Sequence, residues 1–340
     1  MFLADKHNFG QQVEKVLRGS DHWYRKPRTV YWEWLFFGKT SPLKSLFNEI
    51  GQHNHRPLAD YFFNLDIEIE SIWSGLSKEV QAEVSAPTLE HFYAFGALIA
   101  YCFIFGIRDL HKQNLVMTTT HFQPVDAEVV FVAVNLPHET LLLPFKQIGY
   151  EFAGIGSLAN AKEEITKEQV EQLVLGYWDL FSFVSKRSEA IDRILSEINF
   201  SKIPARVIVR NTSEYTNFLE NLPANTLFSE IEQMRRGDVP FYFKFIGDKH
   251  LYWLKEKDFC WPEGSIGIFQ RDVDRHGNYS GQGWCRLRTN AQFMLQGMLF
   301  LLRHFEFQSN LVLSSDSKIE GKNVILRGQV FSFEQKYLPT

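Results

Sequence analysis

Cysteine is nearly missing from this chain. Its 340 residues include only Cys102, Cys260 and Cys285, far apart and without a C-x-x-C pair. That excludes a disulfide framework and a standard zinc knuckle, and it points to a reduced, cytoplasmic protein. A long hydrophobic run is missing too. The longest, Phe92 to Ile107, carries Tyr93, Tyr101 and two glycines, is shorter than the roughly 20 residues of a membrane span, and reads as a buried helix. A signal peptide is not indicated, because Asp5, Lys6 and His7 interrupt the basic-then-apolar order such a segment needs. An excess of one charge is also lacking. The formal net charge of -4 gives no field that would favour nucleic acid as a partner. No internal repeat, low-complexity linker or strong domain boundary stands out.

What the chain does have is enough apolar residue, Phe above all, to bury a core in one large domain or two lobes. Alternating stretches between Phe9 and Trp34, broken by Gly19 and Pro27, predict a small sheet with turns. Ser41-Pro42 opens an expected helix to Ile50, and a second is expected over Pro57 to Leu65. Thr88, followed by Glu90, caps a helix to Ile107 that delivers Arg108 and Asp109 into a loop. Leu115 to Thr118 and Val129 to Val134 read as strands, which would place Asn114 and Asp126 at neighbouring ends of a hairpin. Helical periodicity covers Ile165 to Ile198 as one helix or two. Pro204 to Val209, Phe241 to Ile246 and His250 to Leu254 read as strands, and Asn290 to His304 as a helix.

The chemistry is carried by Asp109-Leu110-His111-Lys112-Gln113-Asn114 and, twelve residues on, Asp126-Ala127-Glu128. In kinase-type sites one Asp accepts the proton of the attacking hydroxyl, an Asn five positions later holds magnesium, and a second Asp beyond a strand holds metal against the nucleotide phosphates. All three oxygen-bearing side chains occur here in that order.

The loop Gly106 to Leu115, with Val125-Asp126-Ala127-Glu128, resembles the dehydratase domain of class II lanthipeptide synthetases, whose pattern is close to D-x-H-x-x-N-L followed by I-D-x-E. Further segments match in order. Asp5-Lys6-His7-Asn8-Phe9-Gly10 to Val13 resembles the family's G-D-x-H-x-x-G-x-x-V opening, with Ala4 in place of the first Gly. Tyr24-Arg25-Lys26-Pro27-Arg28 is similar to its Y-K-P-R strand, with Arg25 interposed. Arg206 to Tyr215 is similar to R-x-x-x-R-x-T-x-x-Y, and Gly237 to Phe243 follows a G-D-I-P-y-F pattern.

The resemblance implies an α+β, two-lobed fold similar to lipid kinases, with a small lobe over 1–80 and a larger one over 81–340. It implies ATP and Mg2+ as cofactors, with Asp109 as base or proton relay, His111 as a second loop group, and Asn114 and Asp126 as metal ligands. Glu128 would support them, and Lys26, Asp5 and His7 would face the nucleotide. Arg206 and Thr212 would serve phosphate elimination, with Arg210 and Tyr215 shaping the site. The expected substrate is Ser or Thr in a precursor peptide, phosphorylated and then dehydrated. No leader-binding region precedes the opening motif and no Cys/Cys/His cluster follows, so the chain looks like an isolated dehydratase core served by a separate leader-binding or cyclase protein.

Three other patterns carry less. His53-Asn54-His55 has metal-like spacing without a carboxylate to complete it and reads as a surface loop. Gly154-Ile155-Gly156 is common in turns. Glu49 is a candidate to pair with Lys26 as a kinase helix Glu does.

Overall fold

The computed structural model describes residues 6–83, 85–216, 218–248, 250–256, 259–265 and 283–333. Its strands are β1 (Glu14–Arg18), β2 (Asp21–Lys26), β3 (Ile67–Ser71), β4 (Ser74–Lys78), β5 (Leu115–Met117), β6 (Phe122–Pro124), β7 (Pro204–Val207), β8 (Tyr242–Phe245), β9 (His250–Glu256), β10 (Phe259–Ser265), β11 (Leu311–Ser314), β12 (Ser317–Glu320), β13 (Asn323–Leu326) and β14 (Gln329–Ser332). The helices are α1 (Tyr31–Phe37), α2 (Leu89–Phe105), α3 (Lys167–Ser196), α4 (Phe228–Arg235), α5 (Trp284–Arg288) and α6 (Ala291–His304). The fold is α+β. Its strands form antiparallel sheets in the orders β1-β2-β4-β3, β10-β9-β8-β7 and β11-β12-β13-β14, plus the pair β5-β6. No described helix is long and apolar enough to cross a membrane.

The centre of the core is α2 against α3. Thr88 begins α2 in extended conformation, its amide 3.1 Å from Nδ1 of His91, and every residue from His91 to Phe105 is buried. A helix apolar on all sides needs neighbours all round. Aromatic rings supply many of them, including Phe36 and Phe37 of α1 and Phe62, which stacks on Tyr101 at 4.6 Å. Where the two long helices cross, the backbones nearly touch. A Cβ on Gly96 would lie 1.9 Å from the carbonyl oxygen of Leu173, and one on Gly176 would lie 1.9 Å from that of Tyr93. Neither helix can take a methyl group there without moving apart, so Gly96→Ala or Gly176→Ala should cost about 3 kcal/mol, the upper part of the usual overpacking range. Denaturant unfolding of the variants checks this.

Four sequence expectations need correction. The sheet expected to run from Phe9 to Trp34 has its last strand there end at Lys26, and Tyr31–Phe37 is the helix α1, with Trp32, Leu35, Phe36 and Phe37 on its buried side. Residues 41–50 form only a 3-10 turn at Lys44–Phe47, because the Ser41 hydroxyl bonds back to the Leu35 carbonyl and accepts from Leu43 N, a local alternative to the helix ladder. Residues 57–65 likewise form a 3-10 turn, Leu58–Tyr61, since Leu65 is drawn off to exchange backbone bonds with Phe37 and Lys39 at the end of α1. Val129 to Val134 is buried but is not a strand. Its backbone bonds go to the end of α2 instead, from Arg108 N to Val129 O, Phe131 N to Phe105 O and Val132 N to Gly106 O. The hairpin partner of β5 is therefore β6, with Leu115 opposite Pro124. The expected long helix after Ile165 is the single helix α3, N-capped by Thr166.

Candidate active site

Helix α2 stops at Gly106, whose left-handed φ of 61° and close approach to Val132 leave no room for a Cβ. Two residues later Arg108 is tied to Val129 O through its amide and to Glu139 O through Nε. Asp109 is then held at φ 66°, a left-handed conformation that Asp and Asn tolerate better than most residues. The Asn114 amide nitrogen donates to Asp109 O at 2.8 Å, and Val125 N donates to Asn114 O at 3.0 Å. The hairpin thus places Asn114 and Asp126 on the same loop framework as Asp109. With its NH2 committed to Asp109 O, the Asn114 side chain leaves its amide oxygen as the end available to a ligand.

Burial raises the Asp109 carboxyl to about 7; Arg206 opposes the shift, while Asp126 and Glu128 add to it. His111 stacks on Phe152 at 4.9 Å and is held below its ordinary value by burial, with Asp126 pulling the other way. Its imidazole is neutral near pH 7. Burial would also raise Asp126, but Arg28, Lys26 and Arg206 outweigh it and hold that carboxyl below its usual value.

Across from the loop, β2 and α1 supply cations and their anchor. Lys26 Nζ lies 2.7 Å from Glu33 Oε1 and also donates to Val125 O. Glu33, not Glu49, is therefore the glutamate that holds Lys26; Glu49 pairs with Arg187. Arg28 is the hub. It reaches Glu33 at 2.8 Å and Glu128 at 2.9 Å, and it also contacts Asp126. Arg206 on β7 contacts the other oxygen of Glu128, its own amide donates to Glu128 O at 3.0 Å, and its guanidinium sits over Phe241 at 5.1 Å. Three cations and the three carboxylates Glu33, Asp126 and Glu128, from the two sides of the site, thus form one continuous network.

Sequence reasoning did not assign Arg28 or Glu33 a role. A signal for Glu33 was present, since a single carboxylate inside the run Tyr-Trp-Glu-Trp-Leu-Phe-Phe has to be paired if that helix is buried.

The remaining expected residues fall in different places. Asp5 lies outside the described residues. His7 is committed elsewhere, its Nδ1 2.7 Å from Val239 O, so that nitrogen carries the proton. The next residues, Asn8, Phe9 and Gly10, all have left-handed φ, and the amides of Phe9 and Gly10 grip the Asp238 carboxylate at 2.8 and 2.7 Å. The opening segment and the Gly-Asp-Val-Pro turn, matched separately in the sequence, are clasped together. Through this clasp buried Asn8 joins Arg28, Glu128, Arg206 and Phe241 around a small internal cavity, and its Oδ1 has no hydrogen-bond partner. Thr212 is exposed at the start of the turn Thr212–Tyr215, whereas Arg210 and Tyr215 are fixed on buried Glu230 at 2.8 and 2.9 Å. His53, expected on a surface loop, is instead partly buried against Asp179 at 2.8 Å.

No family model matches this chain, and no curated protein matches it.

Magnesium prefers oxygen ligands and usually takes one or two from protein, completing its shell with phosphates and water. Among the described residues no group of three or more His, Cys, Asp and Glu side chains is arranged to hold a metal. The free amide oxygen of Asn114 and the part-exposed carboxylate of Asp126 match the smaller requirement in donor chemistry. A cleft of about 750 Å³, lined by Lys6, Arg25, Lys26, Pro27, Trp73 and Leu254, meets the ion-pair network at Lys26 and is within the size range of small-ligand sites. Another of about 730 Å³, between Lys167 and Phe307, shares none of these residues.

Proposed function

We propose that this chain is an ATP- and magnesium-dependent dehydratase of peptide Ser and Thr, built on a two-lobed kinase-like frame and working in the cytoplasm on a ribosomally made precursor peptide. The observation that carries the reading is the convergence of Asp109, Asn114 and Asp126 on one loop framework, facing Lys26 and Arg206 across the ion-pair network. The cleft beside Lys26 is the place for the nucleotide.

In the first half-reaction the substrate oxygen forms a bond to the γ-phosphorus, the bond to ADP breaks, and the hydroxyl proton passes to Asp109. A raised carboxyl of about 7 suits that task, because a base works best with its pKa near the working pH. Bound magnesium, held by Asn114 and Asp126, would neutralise charge on the transferring group. Lys26 is oriented by Glu33 and Val125 O to bring a positive charge to the phosphates. In the second half-reaction Asp109, having released its first proton to solvent, takes the proton from Cα; the electron pair of the broken Cα–H bond forms the double bond, and the Cβ–O bond breaks as phosphate departs. Arg206 supplies a fork-shaped cation for the leaving phosphate. The product is dehydroalanine or dehydrobutyrine.

One observation favours a shorter reaction: Arg206 is committed to Glu128 and Thr212 is exposed. A phosphotransferase without elimination follows if Arg206 stays on that carboxylate during turnover. Mass spectrometry of Ser/Thr-rich peptides incubated with the chain and Mg-ATP decides. Loss of one water mass per modified residue supports dehydration, and gain of one phosphoryl mass supports transfer alone. Unchanged peptide across a broad pool, with no binding of Mg-ATP, would leave a kinase-like binding partner and remove the enzymatic reading.

A further inference from the structure

We propose that Arg28 is a positioning residue that makes metal binding at Asn114 and Asp126 conditional on nucleotide; this rests on the function proposed above. Arg28 is buried, and each of its guanidinium nitrogens is engaged. Nη1 donates to Thr29 O at 2.9 Å, Nη2 to Glu33 at 2.8 Å and to Asp126, and Nε lies 2.9 Å from Glu128. The three carboxylates are not equally dependent on it. Glu33 also has Lys26 and Glu128 also has Arg206, whereas Asp126 has Arg28 as its one contacting cation among the described residues.

Arg28 therefore does for Asp126 what a metal ion would do, and the two compete. A divalent cation arriving alone must share Asp126 with a fixed guanidinium and add positive charge beside Lys26, Arg28 and Arg206. Arrival with a triphosphate changes both terms. The phosphates cancel the added charge and offer the planar guanidinium paired oxygens that it can bind bidentately. Metal and nucleotide then bind with positive coupling, and linkage requires that each raise the affinity of the other by the same factor, typically about 5- to 150-fold.

The test uses the whole chain and two probes, Mn2+ alone, followed by its paramagnetic signal, and the magnesium complex of a non-hydrolysable ATP analogue, followed by calorimetry. Wild type should bind the magnesium–analogue complex well and Mn2+ alone weakly. Arg28→Gln should change the two in opposite directions, binding Mn2+ alone about tenfold more tightly and the complex about tenfold more weakly, within the usual span of coupling. Arg28→Lys, which keeps the charge but lacks the fork, should shift both in the same senses by about threefold; it carries the test if thermal melting shows that the Gln variant is unfolded. A residue with only a structural role would weaken both affinities together. That outcome, or two unchanged affinities, overturns the role given to Arg28. If wild type itself fails to bind the complex, the proposed function falls first and the inference with it.

Discussion

Asp109→Asn should give a protein that is inactive and more stable. Asn fits the left-handed backbone at this position as well as Asp does, so the fold is not put at risk. Loss of a general base typically lowers a rate by about 10²- to 10⁴-fold, and transfer from γ-labelled ATP to a Ser/Thr-rich peptide pool should fall accordingly. The stability gain has a definite pH window. The folded carboxyl titrates at about 7 against an ordinary value of 3.8, so between these values the folded state holds a proton that the unfolded state has released. Wild-type stability therefore declines as pH rises through the window, and the full penalty is present above it. At pH 8 the Asn variant should be the more stable, by on the order of 2 to 4 kcal/mol, and the difference should vanish near pH 4. In wild type, transfer activity should rise with pH through about 7 as the base form accumulates. Parallel melts at the two pH values and a pH–rate profile check this. Equal stability at both would show that the half-buried Asp109 carboxyl does not hold its proton up to about pH 7.

The second large effect is at Arg206. Arg206→Ala should leave transfer working and stop elimination, so that phosphorylated peptide accumulates where wild type releases dehydrated product. Glu128 keeps Arg28 at 2.9 Å after the change, which limits the structural damage that removing one partner of a buried ion pair otherwise brings. Removing a preorganised charge-stabilising donor costs about 10²- to 10³-fold in comparable reactions, and the ratio of phosphorylated to dehydrated peptide by mass spectrometry reports it directly. Normal dehydration with no phosphopeptide in this variant would remove Arg206 from the mechanism.

Much of this framework could be read from local pattern. Thr88, the apolar run and Gly106 mark both ends of α2, and the long periodic stretch after Ile165 announces α3. The grouping of Asp109, Asn114 and Asp126 follows from spacing alone, although the strand that closes the hairpin is β6 rather than the more apolar run after Glu128. In that run β propensity was overridden by tertiary backbone bonds to the end of α2. The strands β3, β4 and β11 to β14 escaped notice because each is only four or five residues long, too short for an alternation to stand out. Arg28 was hidden for a different reason. Its importance lies in three carboxylates drawn from different parts of the chain, and no one-dimensional pattern records that meeting.

The clasp between the opening segment and Asp238 has a bearing on how the protein is made. His7 and Val239 are separated by 232 positions, and ribosomes add about 5 to 20 residues per second. For roughly 10 to 50 s during synthesis, the loop from His7 to Gly10 has nothing to hold. Asn8 cannot take its place beside Arg28 and Arg206 until Asp238 has emerged. The site is therefore completed late in translation, and a nascent chain carrying only the catalytic loop holds Asp109 and Asn114 before Asn8 has joined Arg28, Glu128 and Arg206.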